Sequence, residues 1–222
     1  VLMLAVYTFV FSVVFNARWG IGSQDSRAGF AIALFVGMIV HGLFAEVANR
    51  APGMILGNAS YVKRVVFPLE VLPWVTMGSA LFHAGISLFV LLLAQAALMH
   101  QLPWTVVLFP LVVAPLIVST MGIAWFLAAI GVYLRDVGQT IGIITTILLF
   151  LAPVFYPVSA LPEQYQPLIH LNPLTFVIEE GRKVLLLGEK PNCVGWSLYV
   201  GVSLCIVWGG FWWFLKTRKG FA

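Results

Sequence analysis

The stretch that decides the fold covers residues 57–73 and reads GNASYVKRVVFPLEVLP. It is a short, charged and proline-bounded interruption between two long apolar segments, and it contains Lys63, Arg64 and Glu70. A basic segment between two membrane spans is typical of the cytoplasmic surface of a membrane protein. The pattern therefore predicts a loop, called here the central loop, on which a soluble partner acts and to which the flanking spans respond.

The composition of the whole chain indicates a polytopic membrane protein. Of its 222 residues, 61% are hydrophobic and only 9% are charged, whereas a soluble domain carries about 25% charged residues. The apolar runs are continuous and do not alternate, which argues against a β-barrel. The net charge of +4 comes without the dense basic cluster of a nucleic-acid surface, so we expect membrane lipids and no nucleic acid as partners.

Six apolar segments are long enough to cross a bilayer, which takes roughly 20 residues each. We therefore expect an all-α protein in which residues 1–222 form one transmembrane domain. The predicted spans cover residues 1–19, 30–48, 73–99, 104–132, 140–156 and 194–215. Because residue 1 already lies inside an apolar run, we also expect that an N-terminal segment is missing. The chain has two cysteines, and in a shared last helix Cys193 and Cys205 would lie about 18 Å apart, too far for a disulfide.

The central loop has the features of a short rigid helix. Asn58 or Ser60 can cap a helix whose body covers residues 61–67, and Pro68 would end it. Such a shape favours docking of a partner. The alternative is an ordinary basic loop that only orients the chain, for which its two adjacent basic residues would suffice.

A second polar link, residues 133–139, follows the fourth predicted span and contains Arg135 and Asp136. It fits a second cytoplasmic contact or a plain hairpin turn, and the sequence does not choose between them. Six spans place 7 of the 12 Lys and Arg residues on the side of the central loop and 5 on the other side. This bias predicts that the central loop and both termini are cytoplasmic.

The segment over residues 157–192 is too long and too apolar for a plain loop. Asn172 and Pro173 read as the N-cap and first position of a helix, which Gly188 can close. Its apolar face is predicted to comprise Leu174, Val177, Ile178 and Leu185, and its polar side Glu179, Glu180, Arg182 and Lys183. We expect an amphipathic helix in the membrane interface that shapes the outer mouth of a pathway, or a surface helix without that role.

One aromatic stripe lies in the first predicted span. Tyr7, Phe11 and Phe15 recur at four-residue steps and therefore share a helix face. The stripe is either bulk that packs or faces lipid, or the lining of a pore or subunit contact.

The chain lacks the motifs that would supply its own chemistry. It contains no G-x-x-x-x-G-K-[ST] phosphate loop, no H-E-x-x-H and no G-x-S-x-G, and its four histidines have no metal-ligand spacing. If the protein moves a substrate uphill, the energy must come from another subunit. An integral membrane enzyme that uses His41 or His83 is the alternative.

Three motifs of the chain carry a family resemblance. They are the FP-x-E-x-LP pattern over residues 67–73, the YLRD link over residues 133–136, and the segment APVFYPVSALPEQYQPLIHLNPLTFVIEEGRKVLLLG over residues 152–188. Together they resemble the membrane subunits of type-2 ABC exporters, and most of all the branch that exports polysaccharides such as lipid-linked O-antigen. The resemblance covers essentially the whole chain but does not specify one glycan. Capsule, teichoic-acid, drug and small-lipid exporters are the neighbouring alternatives.

The resemblance implies a homodimer in the bacterial inner membrane, with two ATP-binding cassette subunits that bind ATP and Mg. The chain itself is then a transport subunit without a cofactor or a catalytic residue, and its cargo is a lipid-linked polysaccharide. The implied contacts with the ATPase are Asn58, Ser60, Tyr61, Lys63, Arg64, Phe67, Pro68 and Glu70, with Arg135 and Asp136 as a second contact. The implied conduit and gate residues are Tyr7, Phe11, Phe15, Phe155, Tyr156 and Pro157, and the re-entrant segment carries Asn172, Pro173, Glu179, Glu180 and Arg182.

Overall fold

The computed structural model describes residues 27–58, 68–99 and 102–220, and every regular element within these ranges is helical. The prediction of an all-helical fold is thereby confirmed. The α-helices of these ranges are α1 (Arg27–Arg50), α2 (Leu72–Met99), α3 (Phe109–Tyr133), α4 (Val137–Leu151), α5 (Gln166–His170), α6 (Pro173–Arg182) and α7 (Cys193–Thr217). Short 3-10 turns flank them at Ala51–Gly53, Leu56–Asn58, Leu69–Val71, Trp104–Leu108, Val158–Ala160 and Arg218–Gly220, and a π-helical turn covers Lys183–Leu187.

Four helical segments among the described residues are long and apolar enough to cross a membrane. They cover Gly29–Gly53, Leu69–Met99, Trp104–Tyr133 and Cys193–Thr217, and they match the predicted second, third, fourth and sixth spans. The predicted first span lies outside the described residues. The predicted fifth span corresponds to α4, which ends at Leu151 and is about 22 Å long at 1.5 Å per residue. The six-span count therefore stays a prediction.

The chain divides into two compact units, and α1, α2, α3 and α4 each contribute to both. Within the described residues, the first unit comprises 27–42, 84–99, 102–113 and 148–192. Its core is formed by side chains that are completely buried, among them Leu34, Val36, Leu174, Ile178 and Leu185. The 157–192 segment therefore belongs to a packed core and is more than a surface loop.

The second unit comprises, within the described residues, 43–58, 68–83, 114–147 and 193–220. Glycines allow its helices to approach closely: a Cβ added at Gly122 of α3 or at Gly210 of α7 would collide with the backbone of the other helix. Gly131 of α3 lies in the same way against the backbone of Pro52. Small residues at such contacts are typical of helix packing in membranes.

Candidate functional site

The C-terminal part of the central loop is bound to two helices of the second unit through Glu70. Its backbone carbonyl accepts a hydrogen bond from the indole Nε1 of Trp125 in α3, at 3.1 Å. Its carboxylate forms an ion pair with the guanidinium of Arg218, which directly follows α7. The turn Leu69–Val71 that presents Glu70 begins after extended Pro68, whose carbonyl accepts from the backbone N–H of Val71 at 3.1 Å.

The N-terminal part of the central loop is bound as well. The side-chain amide of Asn58 donates to the carbonyl of Met54 at 2.8 Å, and Ala51 and Pro52 before it are buried. Because Pro52 lies against Gly131, both sides of the loop contact α3.

The structure places only part of the predicted contact set. Asn58, Pro68 and Glu70 are described, whereas Ser60, Tyr61, Lys63, Arg64 and Phe67 lie outside the described residues. The predicted capped helix over residues 61–67 lies outside them too. Trp125 and Arg218, which hold Glu70, were not found from the sequence because they lie 55 and 148 residues away along the chain.

Arg135 and Asp136 lie in the turn between α3 and α4, and both are exposed. The carbonyl of Asp136 accepts from the backbone N–H and the hydroxyl of Thr140, at 3.2 and 3.3 Å. Nearby, the phenol of Tyr133 donates to the carbonyl of Thr217 at 3.1 Å, which joins the C-terminal ends of α3 and α7. The exposed turn can thus contact a partner while its base is fixed to α7.

A polar cluster also connects α1 and α2 within the second unit. Nδ1 of His83 lies 3.0 Å from both carboxylate oxygens of Glu46, and the guanidinium of Arg50 lies 3.2 Å from the same carboxylate. Among the described residues, no group of three or more His, Cys, Asp or Glu side chains has the arrangement of a metal site. The polar cluster is therefore a hydrogen-bonded contact between α1 and α2, beside an ion pair of Glu46 and Arg50 within α1.

The 157–192 segment begins its helix as predicted. The side-chain oxygen of Asn172 accepts from the backbone N–H of Leu174 at 3.0 Å, and Pro173 occupies the first helical position of α6. The π-helical turn after α6 ends at Gly188, which has the left-handed φ of 70°. The predicted N-cap and the predicted closing glycine are both confirmed.

The predicted polar side of this helix is wrong for two residues. Glu180 and Arg182 are each only 4% exposed. Arg182 lies four positions after Ile178 and eight after Leu174, so it shares their buried face. Nε of Arg182 donates to the carbonyl of Ala33 and Nη2 to that of Val154, both at 3.0 Å. The guanidinium thereby joins α6 to α1 and to the chain after α4.

The buried carboxylate of Glu180 is also satisfied. It accepts from Nζ of Lys183 and from the backbone N–H of Asn192, both at 2.8 Å. The hydrogen bond to Glu180 raises the pKa of Lys183. Burial lowers the pKa of Arg182 to about 9, so its guanidinium still carries a charge at neutral pH. The hydrogen bonds of Arg182 and Glu180 thus connect α6 to α1, to the chain after α4 and to Asn192.

Two further polar residues hold the same segment. The amide of Gln95 in α2 donates to the carbonyl of Leu185 at 2.7 Å, and the hydroxyl of Thr105 donates to the carbonyl of Val184 at 2.6 Å. Carbonyls in the last turn of a helix have no partner within that helix, and these side chains supply one. The sequence signal for Gln95 and Thr105 was a polar residue inside an apolar span. Our sequence analysis did not identify either residue.

Three of the predicted conduit residues are described. Phe155 is buried and its ring packs on Phe150, with the centroids 5.6 Å apart. The phenol of Tyr156 donates to the carbonyl of Phe150 at 3.0 Å, and Pro157 precedes the turn Val158–Ala160. Their role in a conduit stays a prediction. Tyr7, Phe11 and Phe15 lie outside the described residues.

These features define an α-helical integral membrane protein with a tethered loop between two spans and a packed segment before its last helix. Residues 1–186 match the profile of the family described as ABC-2 type transporter, and the chain belongs to that family. The resemblance to type-2 ABC permeases is thereby confirmed.

The curated relatives that the chain matches have names that refer to O-antigen export or to polysialic acid transport. Over its full length, the chain is 26% identical to the O-antigen export system permease protein RfbA of Myxococcus xanthus, of which it covers 83%. It is 23% identical over 209 residues to the protein of that name from Klebsiella pneumoniae. That alignment covers 93% of this chain and 77% of the relative. It is 22% identical over 169 residues to the polysialic acid transport protein KpsM of Escherichia coli, with 72% of this chain and 62% of the relative covered.

Proposed function

We propose that this chain is the membrane subunit of an ATP-driven exporter that moves a lipid-linked polysaccharide of the O-antigen type across the bacterial inner membrane. The observation that carries the proposal is the full-length similarity to an O-antigen export permease, together with membership of the ABC-2 type transporter family. The relatives named as polysialic acid transport proteins favour capsule export as the second candidate.

The working complex is a homodimer of this chain with two ATP-binding cassette subunits, which bind ATP and Mg and hydrolyse the nucleotide. Six spans place both termini and the central loop in the cytoplasm, where the cassette subunits lie. The central loop, with Lys63 and Arg64 in a short coupling helix, docks on those subunits. The exposed pair Arg135 and Asp136 supplies a second contact.

ATP binding moves the central loop, and the described contacts support a route by which α3 and α7 follow. The hydrogen bond from Trp125 and the contact of Pro52 with Gly131 connect the loop to α3. The ion pair of Glu70 with Arg218 connects it to α7. Rigid helices tied at their ends move as bodies, so closure of the ATPase dimer would shift the spans and open the conduit.

The 157–192 segment closes the outer end of that conduit. The first and fifth spans of the two copies enclose the pathway, and aromatic rings such as those of Tyr7, Phe11 and Tyr156 offer a surface for sugar rings. A gate needs a fixed base from which its mobile parts swing. The hydrogen bonds from Arg182 to two backbone carbonyls, and from the backbone N–H of Asn192 to Glu180, support a fixed base of this kind.

The coupling proposal is tested with Glu70→Ala and Pro68→Ala in the complex with its ATPase, reconstituted in proteoliposomes. We expect normal membrane insertion and assembly, continued ATP hydrolysis, and export slower by about fivefold or more, the lower end of typical coupling between sites. Ser197→Ala, at an exposed position of α7 that forms no hydrogen bond with the described residues of the central loop or of the 157–192 segment, is the control and should export normally. Export at the wild-type rate in both central-loop variants would refute the coupling role.

The substrate class is tested separately. Mass spectrometry of lipid extracted from the purified complex should find a lipid-linked O-antigen-type glycan. A lipid-linked capsular glycan would select the second candidate, and a drug or small lipid without sugar would reject both. This test does not depend on which residues carry the coupling.

A further inference from the structure

A concave apolar surface in the second unit lies beside the contact of Glu70 with Trp125, and the export mechanism described above assigns no role to its apolar walls. The groove has a volume of about 830 Å³, which lies within the range of about 300–1,000 Å³ usual for ligand pockets. Its walls come from three membrane-spanning segments: Trp74 in α2, Trp125 in α3, and Leu204, Trp208 and Phe211 in α7. The groove is therefore part of the surface that the protein presents within the bilayer.

The base of the groove is an aromatic cluster. The ring of Trp125 meets Trp74 edge-on at 5.9 Å between centroids, and meets Phe211 in the same way at 4.9 Å. Trp125 is buried and its indole N–H is bound to the carbonyl of Glu70, so its ring is held in place. Trp74 and Trp208 form the sides and are 57% and 73% exposed. A fixed base between two exposed indoles suits a long, flexible apolar chain.

At one rim of the groove, two basic residues, Lys216 and Arg218, follow the part of α7 that lines it. Glu70 lies at this rim, and its carboxylate is paired with Arg218, whose side chain is still 48% exposed. Trp208, Trp212 and Lys216 follow one another at four-residue steps along α7, and Nζ of Lys216 lies 4.8 Å above the Trp212 ring. Arg218 and Lys216 outnumber the one carboxylate at the rim, so the rim complements an anionic group.

The distances match one leaflet of a membrane. Fourteen residues separate Leu204 from Arg218, which corresponds to about 21 Å of helix. Half of the hydrocarbon core is about 15 Å thick, and the headgroup region lies beyond it. A phospholipid whose acyl chain has its methyl end near Leu204 would therefore have its phosphate at the level of Arg218.

We propose that this groove binds an anionic glycerophospholipid of the surrounding bilayer. One acyl chain lies along Trp74, Trp125 and Trp208, and the phosphate contacts Arg218 and Lys216. A second copy of the chain fits less well, because it would leave the positive rim without a counter-charge. The proposal does not depend on what the protein exports.

The headgroup contact is tested by native mass spectrometry of the purified full-length protein, titrated with phosphatidylglycerol or with phosphatidylcholine of the same acyl chains. We expect tighter binding of phosphatidylglycerol. Lys216→Gln keeps the ion pair of Glu70 with Arg218, and it should weaken phosphatidylglycerol binding about fivefold, the effect of one basic residue near an anionic surface. Phosphatidylcholine binding should change less, because its choline cation already neutralises the phosphate. Equal affinity of the wild-type protein for both lipids would overturn the proposal.

The acyl contact is tested by filling the groove. Leu204→Trp places a large ring between the walls and should lower the binding of both lipids by about tenfold or more, which corresponds to the loss of about 1.4 kcal/mol. Val202→Trp is the matched control, because Val202 is exposed on the same helix but does not line the groove. Equal lipid binding by Leu204→Trp and Val202→Trp would refute the site. Loss of a protein dimer in Leu204→Trp, or a polyprenyl lipid in place of the phospholipid, would also refute it.

Discussion

The ion pair between the carboxylate of Glu70 and the guanidinium of Arg218 can be tested by exchanging the two residues. Glu70→Arg and Arg218→Glu each place two like charges together and should slow export, whereas the double exchange restores the opposite pairing and should recover most of it. Partly exposed ion pairs contribute only about 0–1 kcal/mol to stability. Thermal unfolding of all three variants should therefore stay close to that of the wild-type protein, and a large fall in the double variant would contradict the exchange.

Arg182 is the residue whose loss should cost the most stability. Arg182→Met keeps the length of the side chain but removes the donors to the carbonyls of Ala33 and Val154, at about 1–3 kcal/mol for each buried group left unsatisfied. Arg182→Lys keeps the charge but lacks the planar fork that reaches both carbonyls. Both variants should unfold at a lower temperature than the wild-type protein in a thermal melt in detergent. Lys190→Ala, at an exposed position, is the control and should keep the wild-type melting temperature. Wild-type melting of Arg182→Met would show that the two hydrogen bonds do not hold the segment.

The same residues show how far sequence reasoning reaches at this scale. The cap by Asn172 was predictable because donor and acceptor are two residues apart. The burial of Arg182 was present in its spacing from Ile178 and Leu174, but its charge led us to place it on the polar side. The pairing of Glu70 with Arg218 joins residues 148 positions apart, and no local pattern contains that information.

At the scale of the helix, the contact of α3 with α7 depends on glycine at two positions. Gly122→Ala and Gly210→Ala should each force the helices apart, because the added Cβ would meet the backbone of the neighbouring helix. Gly209→Ala changes the adjacent residue, where a Cβ would meet nothing within 4 Å, and it should raise stability slightly through its better helix propensity. Thermal melts of the purified variants measure this difference. Equal melting temperatures for Gly209→Ala and Gly210→Ala would contradict the close contact.

Helix α4 shows why apolar length alone did not give the end of an element. The predicted fifth span ran to Tyr156, whereas the helix ends at Leu151. Pro153 disfavours helical geometry at the residue before it, and the chain then turns, with the phenol of Tyr156 bound to the carbonyl of Phe150. The bounds predicted for the four long helices agree with the structure to within about five residues.

At the scale of the whole molecule, composition was enough for the class and for four of the spans, because bilayer thickness fixes the length of an apolar helix. The packed core of the 157–192 segment was not predictable in the same way, since it depends on contacts of α6 with residues of α1 and on polar side chains from distant helices. The sidedness of the chain rests on a small excess of basic residues, and it needs a direct test.

The chain carries its own probes of that sidedness. Cys193 and Cys205 lie at the beginning and in the middle of α7, and both are exposed. If the C-terminus is cytoplasmic, Cys193 faces the periplasm and Cys205 faces the hydrocarbon. A charged, membrane-impermeant maleimide added to intact spheroplasts should then label the wild-type protein and Cys205→Ser, but not Cys193→Ser. Labelling of Cys193 only after the spheroplasts are lysed would place that end of α7 in the cytoplasm and the central loop outside, and no cytoplasmic ATPase could then act on it.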